Sequence, residues 1–436
     1  MRQFLRGSHC AHFECACNMP NFMRLLSECA PFCWSSAQWR SSCNSMSILI
    51  GEYGARIMQS RVSRRNFLLG SAAIAGAGLV QGIPGTPFSP PVNIMRSAFG
   101  DIAKPDYIIR CSSNENPYGP SRVALQAISA AMKDANKYGG ITPQLISLLS
   151  SLEDVPTDHI TTGTGSGEIL NVSAMIASLD PGSIVAPYPI FEALPRYAGN
   201  MGSEIIRVPV LEDMHIDLEG MYNAIRPDTR MVYLCNPNNP IPSVIEKNAL
   251  RDFVLEVSRD RLVFVDEAYF EFVDNPEFAT MMDLVRDGHN NIIVARTASK
   301  IHAMAALRIG FGYAHPDIIA SMDMKKTGSL NIVGQHAAYA SYQDMTFQDY
   351  SRKMNRESLD MVEGMCDEMG IRYVKSNANF SFINTGMPIE EVSAAMLNEG
   401  IMIGRAFPPF TDWARVSMQK PEEIAYFVQA YKKLFG

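Results

Sequence analysis

From about residue 100 the chain alternates between short apolar runs and longer stretches that are apolar on one face only. Ser183–Ala186, Ile205–Val210, Met231–Cys235, Leu262–Val265 and Asn291–Ala295 are rich in Val and Ile and are bounded by polar, Pro or Gly residues. Runs of this kind predict buried strands. Between them, Glu168–Ser178, Leu218–Ala224, Ala249–Arg259 and Thr280–Arg286 predict helices. The alternation predicts an α/β architecture, a mostly parallel sheet sandwiched by helices. After Gly334 the pattern changes. One long helical stretch, His336–Met369, leads to Tyr373–Ile383, a helix over Ile389–Glu399 and a short final helix, as in a smaller α+β domain. There is no internal repeat and no low-complexity linker.

Ligands of open α/β sheets bind beyond the carboxyl ends of the strands, so the residues that follow each strand carry the chemistry. Asn236-Pro237-Asn238-Asn239-Pro240 follows one strand, Asp266-Glu267-Ala268-Tyr269 a second, and Arg296-Thr297-Ala298-Ser299-Lys300 a third, with Arg308 eight residues on. Upstream, Thr162-Gly163-Thr164-Gly165-Ser166-Gly167-Glu168 opens a helix. A lysine that can carry an aldehyde as a Schiff base, a carboxylate, hydrogen-bond donors and an anion cup at a helix N-terminus thus share one sheet edge. Pyridoxal 5'-phosphate needs all four. Singly these signals are weak: the Gly loop is a common turn, and Asp-Glu-Ala-Tyr could be an acidic strand end with no role. Their order along the chain is what gives them weight.

The body resembles the fold-type-I aminotransferases, and most the histidinol-phosphate aminotransferase branch, from Asn114-Glu115-Asn116-Pro117-Tyr118-Gly119-Pro120-Ser121 to Arg415-Val416-Ser417. The resemblance implies a transaminase that moves an amino group between an amino acid or amino-alcohol phosphate and a 2-oxo acid. It makes Lys300 the Schiff-base lysine and proton shuttle, sets Asp266 against the pyridine nitrogen, and puts Tyr269 and Asn239 at the phenolic oxygen. Phe191 matches the ring-stacking aromatic, against a plain packing role. Ser166, Gly167, Thr297, Ser299 and Arg308 would hold the phosphate. Tyr138 matches a tyrosine that reaches the neighbouring subunit's cofactor, which implies a homodimer. Arg415 would clamp the substrate α-carboxylate, its bland alternative being a surface salt bridge, and Asn116 is a further substrate-binding candidate.

The sequence also departs from the pattern. Ile241-Pro242 stands where Thr-Gly is usual, Ser166-Gly167-Glu168 lacks an acid before the Glu, and Ile301-His302-Ala303-Met304 replaces Ala-Phe-Gly-Leu. His302 could touch substrate or simply pack. Ser417-Met418-Gln419-Lys420 replaces an Ile-Gly-Thr run, and no Tyr-containing substrate arm is found upstream of Asn114. Two other readings stay open: a decarboxylase on the same scaffold, similar to the threonine-phosphate decarboxylases, and a cofactor-binding protein without turnover.

Composition changes the picture mainly at the front. The chain has 436 residues, room for two or three domains, and a net charge of −7, which disfavours a nucleic-acid partner. The charge is uneven: residues 1–77 hold 8 Arg and 3 acidic residues, the remainder 30 basic and 42 acidic. Cys10, Cys15, Cys17, Cys29, Cys33 and Cys43 crowd the same end, in spacings that match no paired C-x-x-C, so no metal is expected. Ser63-Arg64-Arg65-Asn66-Phe67-Leu68-Leu69 precedes a 14-residue apolar run, Phe67–Val80, with Ala75-Gly76-Ala77 as a cleavage candidate. Too short to span a bilayer, which takes about 20 residues, the run looks like a twin-arginine export signal starting near Met58. The expected organisation is a doubtful extension over 1–57, a signal over 58–83 that engages export machinery, an arm over 84–115, a large cofactor-binding domain over 116–334 and a small domain over 335–436. The expected location is exported, or cytoplasmic where the signal is not used.

Overall fold

The computed structural model describes residues 102–436, so the extension 1–57, the signal segment 58–83 and the arm up to residue 101 lie outside the described residues. A first strand, β1 (Ile109–Cys111), is followed by seven that form one sheet: β2 (Ile160–Thr164), β3 (Ser183–Tyr188), β4 (Glu204–Pro209), β5 (Thr229–Cys235), β6 (Leu262–Asp266), β7 (Ile292–Thr297) and β8 (Ile309–Ala314). Their order is β2-β8-β7-β6-β5-β3-β4, with every pairing parallel except those of β8, which runs antiparallel to both neighbours. The central strands are apolar throughout because both faces are covered. Val232, Leu234, Val263, Val265, Ile292 and Val294 point into one core, and Met231, Tyr233, Phe264, Ile293 and Ala295 into the other.

The five strands expected from the apolar runs are present. β2 and β8 escape that reading because each carries glycine, Gly163 in β2 and Gly310 and Gly312 in β8, which lowers strand propensity. The helices important for the site are α1 (Arg122–Ala131), α2 (Thr142–Glu153) and α3 (Ser166–Ala177).

The C-terminal part, after β8, differs in detail from expectation. The single helix foreseen over His336–Met369 is two, Ile332–Ser341 and Met345–Met369, because the Asp344 side chain accepts the Phe347 amide and starts the second afresh. The final helix, Pro421–Phe435, is not short: it has 15 residues, with Pro at its first position and Glu423 accepting from the Lys420 backbone N–H. A three-stranded antiparallel sheet has β10 (Phe380–Asn384) at its centre, flanked by β9 (Tyr373–Val374) and β12 (Trp413–Ser417). β11 (Ile401–Ile403) pairs in parallel with β1. The chain before residue 112 is therefore stitched to a strand nearly three hundred residues later.

Candidate active site

The carboxyl ends of β5, β6 and β7 deliver the expected side chains to one place. Lys300 lies in the turn after β7, which is closed by Ala303 N–H to Lys300 O (3.0 Å) and Met304 N–H to Ala298 O (3.1 Å). Its Nζ donates to the Asn114 carbonyl at 3.2 Å and lies 5.3 Å from the Tyr269 ring centre. Burial, reinforced by the Arg415 charge, lowers the ammonium to about 8. Asp266 ends β6 and is 2% exposed. Its carboxylate accepts one hydrogen bond, from Ala268 N–H at 3.2 Å, and burial raises it to about 7.

Tyr269 is equally buried, and its oxygen receives Nδ2 of both Asn239 (3.1 Å) and Asn114 (3.0 Å). The Asn239 Oδ1 accepts from Arg415 Nη1 at 2.8 Å, and Arg415 Nη2 donates to Ser112 O at 2.6 Å. Arg415 Nε is buried without a partner. The neighbouring Asn238 does different work: its amide holds Pro189 O (3.1 Å) and so fixes the loop that follows β3.

A second group forms the anion cup. The α3 helix starts at Ser166 after Gly165, at φ 81°, and no side chain caps its first amides. The Thr297 and Ser299 hydroxyls are 2.9 Å apart, and Thr297 Oγ1 also accepts from Ser299 N–H. Arg308, itself at φ 55°, reaches Ser299 Oγ and Thr164 O, each at 3.5 Å. Space is exhausted here. A Cβ on Gly165 would lie 2.0 Å from Arg308 Nη2, and one on Gly310 would lie 2.1 Å from Ser166 N. Glu168 ties the loop down, accepting from Thr164 N–H (2.6 Å) and Gly328 N–H (2.9 Å). Asn114, Ala303 and Arg308 are three of the six non-glycine residues with positive φ among the described residues, so backbone strain concentrates at this site.

These residues fit pyridoxal phosphate. A buried carboxylate with one hydrogen bond calls for a cationic partner, uncapped helix amides beside hydroxyls and a guanidinium suit a phosphate, and a lysine already shifted toward the neutral amine suits an aldehyde.

One expected substrate contact, Asn116, is placed otherwise. Asn116 spends its amide on the fold: Nδ2 donates to Ile301 O (2.8 Å) and Ser351 Oγ (3.2 Å), and Oδ1 accepts Tyr118 N–H (3.1 Å). Phe191 is 41% exposed, and Tyr138 is fully exposed. The structure adds Asn114, Ser417 and Asn379, which the motif reading left without roles. Asn114 belonged to the quoted Asn-Glu-Asn-Pro motif, and that was the signal available for it.

His302 packs. It is 1% exposed, stacks on Tyr342 at 4.0 Å and bonds Ser341 Oγ at 2.9 Å. Its Nε2 lies 3.8 Å from Glu271 Oε1, too far for a hydrogen bond, and neither Glu271 oxygen has any partner. Although the spacing is that of an ion pair, burial opposes both charges: it lowers His302 to about 3 and raises Glu271 to about 8, against the pull of Arg296. Both side chains are therefore neutral around pH 6. A carboxyl raised in the fold loses its stabilising contribution as pH climbs from about 4.5 through about 8. His302 acts on the other side, where stability falls as pH drops below about 6.5. Glu271→Gln should flatten the alkaline limb, which is worth roughly 3 kcal/mol between pH 6 and pH 9. Melting temperatures at pH 6 and pH 9 check this, and an unchanged difference between them refutes it.

The comparisons with known proteins agree with this geometry. The family described as Aminotransferase class I and II matches residues 107–430. A histidinol-phosphate aminotransferase of Moorella thermoacetica is 33% identical over 334 residues, which cover 76% of this chain and 86% of the relative. A solved structure from Erwinia carotovora atroseptica, provisionally described as a histidinol-phosphate aminotransferase, has 31% identity and a TM-score of 0.72, covering 77% of this chain and 98% of its own. The Sinorhizobium meliloti histidinol-phosphate aminotransferase in complex with pyridoxal-5'-phosphate shares the fold at TM-score 0.69 and 22% identity, covering 82% and 99%. With a lysine, a carboxylate, a phenol and an arginine gathered at the strand ends, and with the family matched from β1 to the last helix, the chain belongs to the class I and II aminotransferases.

Proposed function

We propose that this pyridoxal-phosphate-dependent transaminase takes an amino donor bearing a second anionic group, of the histidinol-phosphate kind, and passes the amino group to a 2-oxo acid. One observation carries the reading: two arginines flank a single ring. Arg415 lies 4.9 Å and Arg405 4.5 Å from the Phe407 ring centre, Arg415 half-buried and bonded to Asn239, Arg405 exposed. Arg415, with its unpartnered Nε, suits the carboxylate nearest the reacting carbon, and Arg405 suits a distal phosphate or carboxylate.

Lys300, Asp266, Tyr269, Asn239, Ser166, Gly167, Thr297, Ser299 and Arg308 would hold the cofactor. When bound it supplies a sink for the electrons of the bond broken at the substrate α-carbon. Lys300 Nζ, neutral in an appreciable fraction near pH 7, accepts the α-proton there. Tyr269 and Asn239 orient the reacting face, and Arg415 keeps the α-carboxylate in place, which favours transamination over loss of carbon dioxide. The full exposure of Tyr138 supports a homodimer in which it reaches the partner's cofactor. Export by the twin-arginine route belongs to the same proposal and rests on Ser63–Leu69.

A scan of amino donors against 2-oxoglutarate tests it. Donors with a distal phosphate or carboxylate should turn over, and Arg405→Gln should raise their KM roughly tenfold with little change for uncharged donors. Carbon dioxide release without keto-acid formation would overturn it.

A further inference from the structure

Asn114 ties together parts of the site that come from three regions of the chain. It is 1% exposed and adopts φ 53°, a backbone conformation that asparagine tolerates far better than most side chains. Each of its polar groups is engaged. Its N–H donates to Ser417 Oγ at 2.8 Å, and its Oδ1 accepts the Ser417 hydroxyl at 2.7 Å. Its Nδ2 donates to Tyr269 O at 3.0 Å. Its carbonyl receives Lys300 Nζ at 3.2 Å and Asn379 Nδ2 at 3.1 Å.

Donor and acceptor bookkeeping gives this network a direction. A phenolic oxygen has two acceptor positions and one proton. Arg415 has no acceptor, so the Asn239 oxygen must face it and the Asn239 NH2 must face Tyr269. The Ser417 hydroxyl accepts the Asn114 backbone N–H, so its own proton goes to Asn114 Oδ1, and the Asn114 NH2 must face Tyr269 as well. Both acceptor positions of Tyr269 are thereby filled from behind, and the one group left free is its O–H, which points its proton into the site.

We propose that Asn114, oriented by Ser417, is a positioning residue that compels Tyr269 to act as a hydrogen-bond donor toward the bound cofactor, while the Asn114 backbone carbonyl holds the Lys300 amine within reach. The inference rests on the chain being an aminotransferase but not on the choice of amino donor, because its test needs no substrate.

The test is the pH titration of the visible absorbance of the holoenzyme. A donor at the cofactor's phenolic oxygen favours its anionic form, so removal of that donor moves the spectral midpoint upward by about one unit, the tenfold worth of one such hydrogen bond. Tyr269→Phe sets the reference shift. Asn114→Asp keeps the size, the oxygen facing Ser417 and tolerance of positive φ, but it presents an acceptor to Tyr269 and draws the phenolic proton backward. The proposal requires an upward shift in Asn114→Asp and no further shift when the same change is made in the Tyr269→Phe background. An unmoved midpoint overturns it, and so does an equal shift in both backgrounds, which would mark the aspartate charge acting directly. Should Asn114→Asp fail to fold, Ser417→Ala is judged in the same two backgrounds by the same criterion, with a smaller shift expected because the Asn114 amide is freed rather than replaced.

Discussion

Replacing Lys300 with Ala is expected to lower kcat/KM for transamination by at least roughly a thousandfold, the middle of the range for a positioned proton-transfer group. The loss has two parts, because the same nitrogen holds the cofactor and accepts the α-proton. They can be separated: the Ala protein mixed with pyridoxal phosphate should lack the lysine-dependent visible band, and a small primary amine in solution should restore part of the rate in proportion to its concentration. Melting temperature should change little, since Lys300 makes one hydrogen bond, to a carbonyl that Asn379 also serves. The wild-type apoprotein gives a companion result. With the ammonium lowered to about 8 by burial, roughly a tenth of the side chain is neutral at pH 7, against about 0.03% for an ordinary lysine. Capture of the cofactor should therefore quicken about tenfold per pH unit up to about pH 8 and level off above it. Survival of both the visible band and transamination in Lys300→Ala would refute the assignment.

Asp266→Asn is the second large effect. The side chain is fully enclosed, and its only hydrogen bond comes from Ala268. Apart from the attraction of the Lys300 ammonium, which burial outweighs, nothing in the protein compensates its charge, and its role lies with what binds beside it. The amide has the same shape but no charge with which to hold a protonated ring nitrogen, and kcat should fall roughly 10²- to 10³-fold, as when one preorganised electrostatic contact is removed. Because burial already raises the Asp266 carboxyl to about 7, the apoprotein should gain stability from the change at pH 8 and above, where the wild type carries an uncompensated buried anion. Opposite signs for activity and apoprotein stability distinguish a functional carboxylate from a structural one. A destabilised, fully active variant would remove Asp266 from the site.

The part of this site legible in the sequence is the part written along single strands. Val263–Val265 and Ile292–Val294 are apolar because both sheet faces are covered, so their ends, and with them Asp266, Tyr269, Thr297, Ser299 and Lys300, could be located from the pattern alone. Asn239 and Arg308 followed from the motifs. What could not be located depends on closure across long separations. Gly310 packs under Ser166 from the only antiparallel strand of the large sheet, and nothing near it in sequence announces that contact. Asn116 and Asn114 lie two residues apart in one motif, and the choice between them turns on a positive φ at Asn114 and on Ser417. Tyr138 and Phe191 are exposed in the single chain, which leaves each open to a partner or a bound ring without assigning it one. The break at Tyr342–Asp344 depends on one capping aspartate within an otherwise continuous helical pattern.

The strap around Asn114 has a consequence for synthesis. Its carbonyl and side chain meet Lys300 and Tyr269, but its anchors, β11 and Ser417, are made almost at the end of the chain, Ser417 lying 303 residues downstream of Asn114. A ribosome can thus complete the large sheet, through β8 at Ala314, while the cofactor pocket still lacks its wall and Tyr269 its orientation. Nascent chains stalled anywhere between β8 and β12 would carry the catalytic lysine with no finished chamber around it. The wall around Lys300 and Tyr269 is thus complete only once β11 and β12 have been made and the first strand is paired.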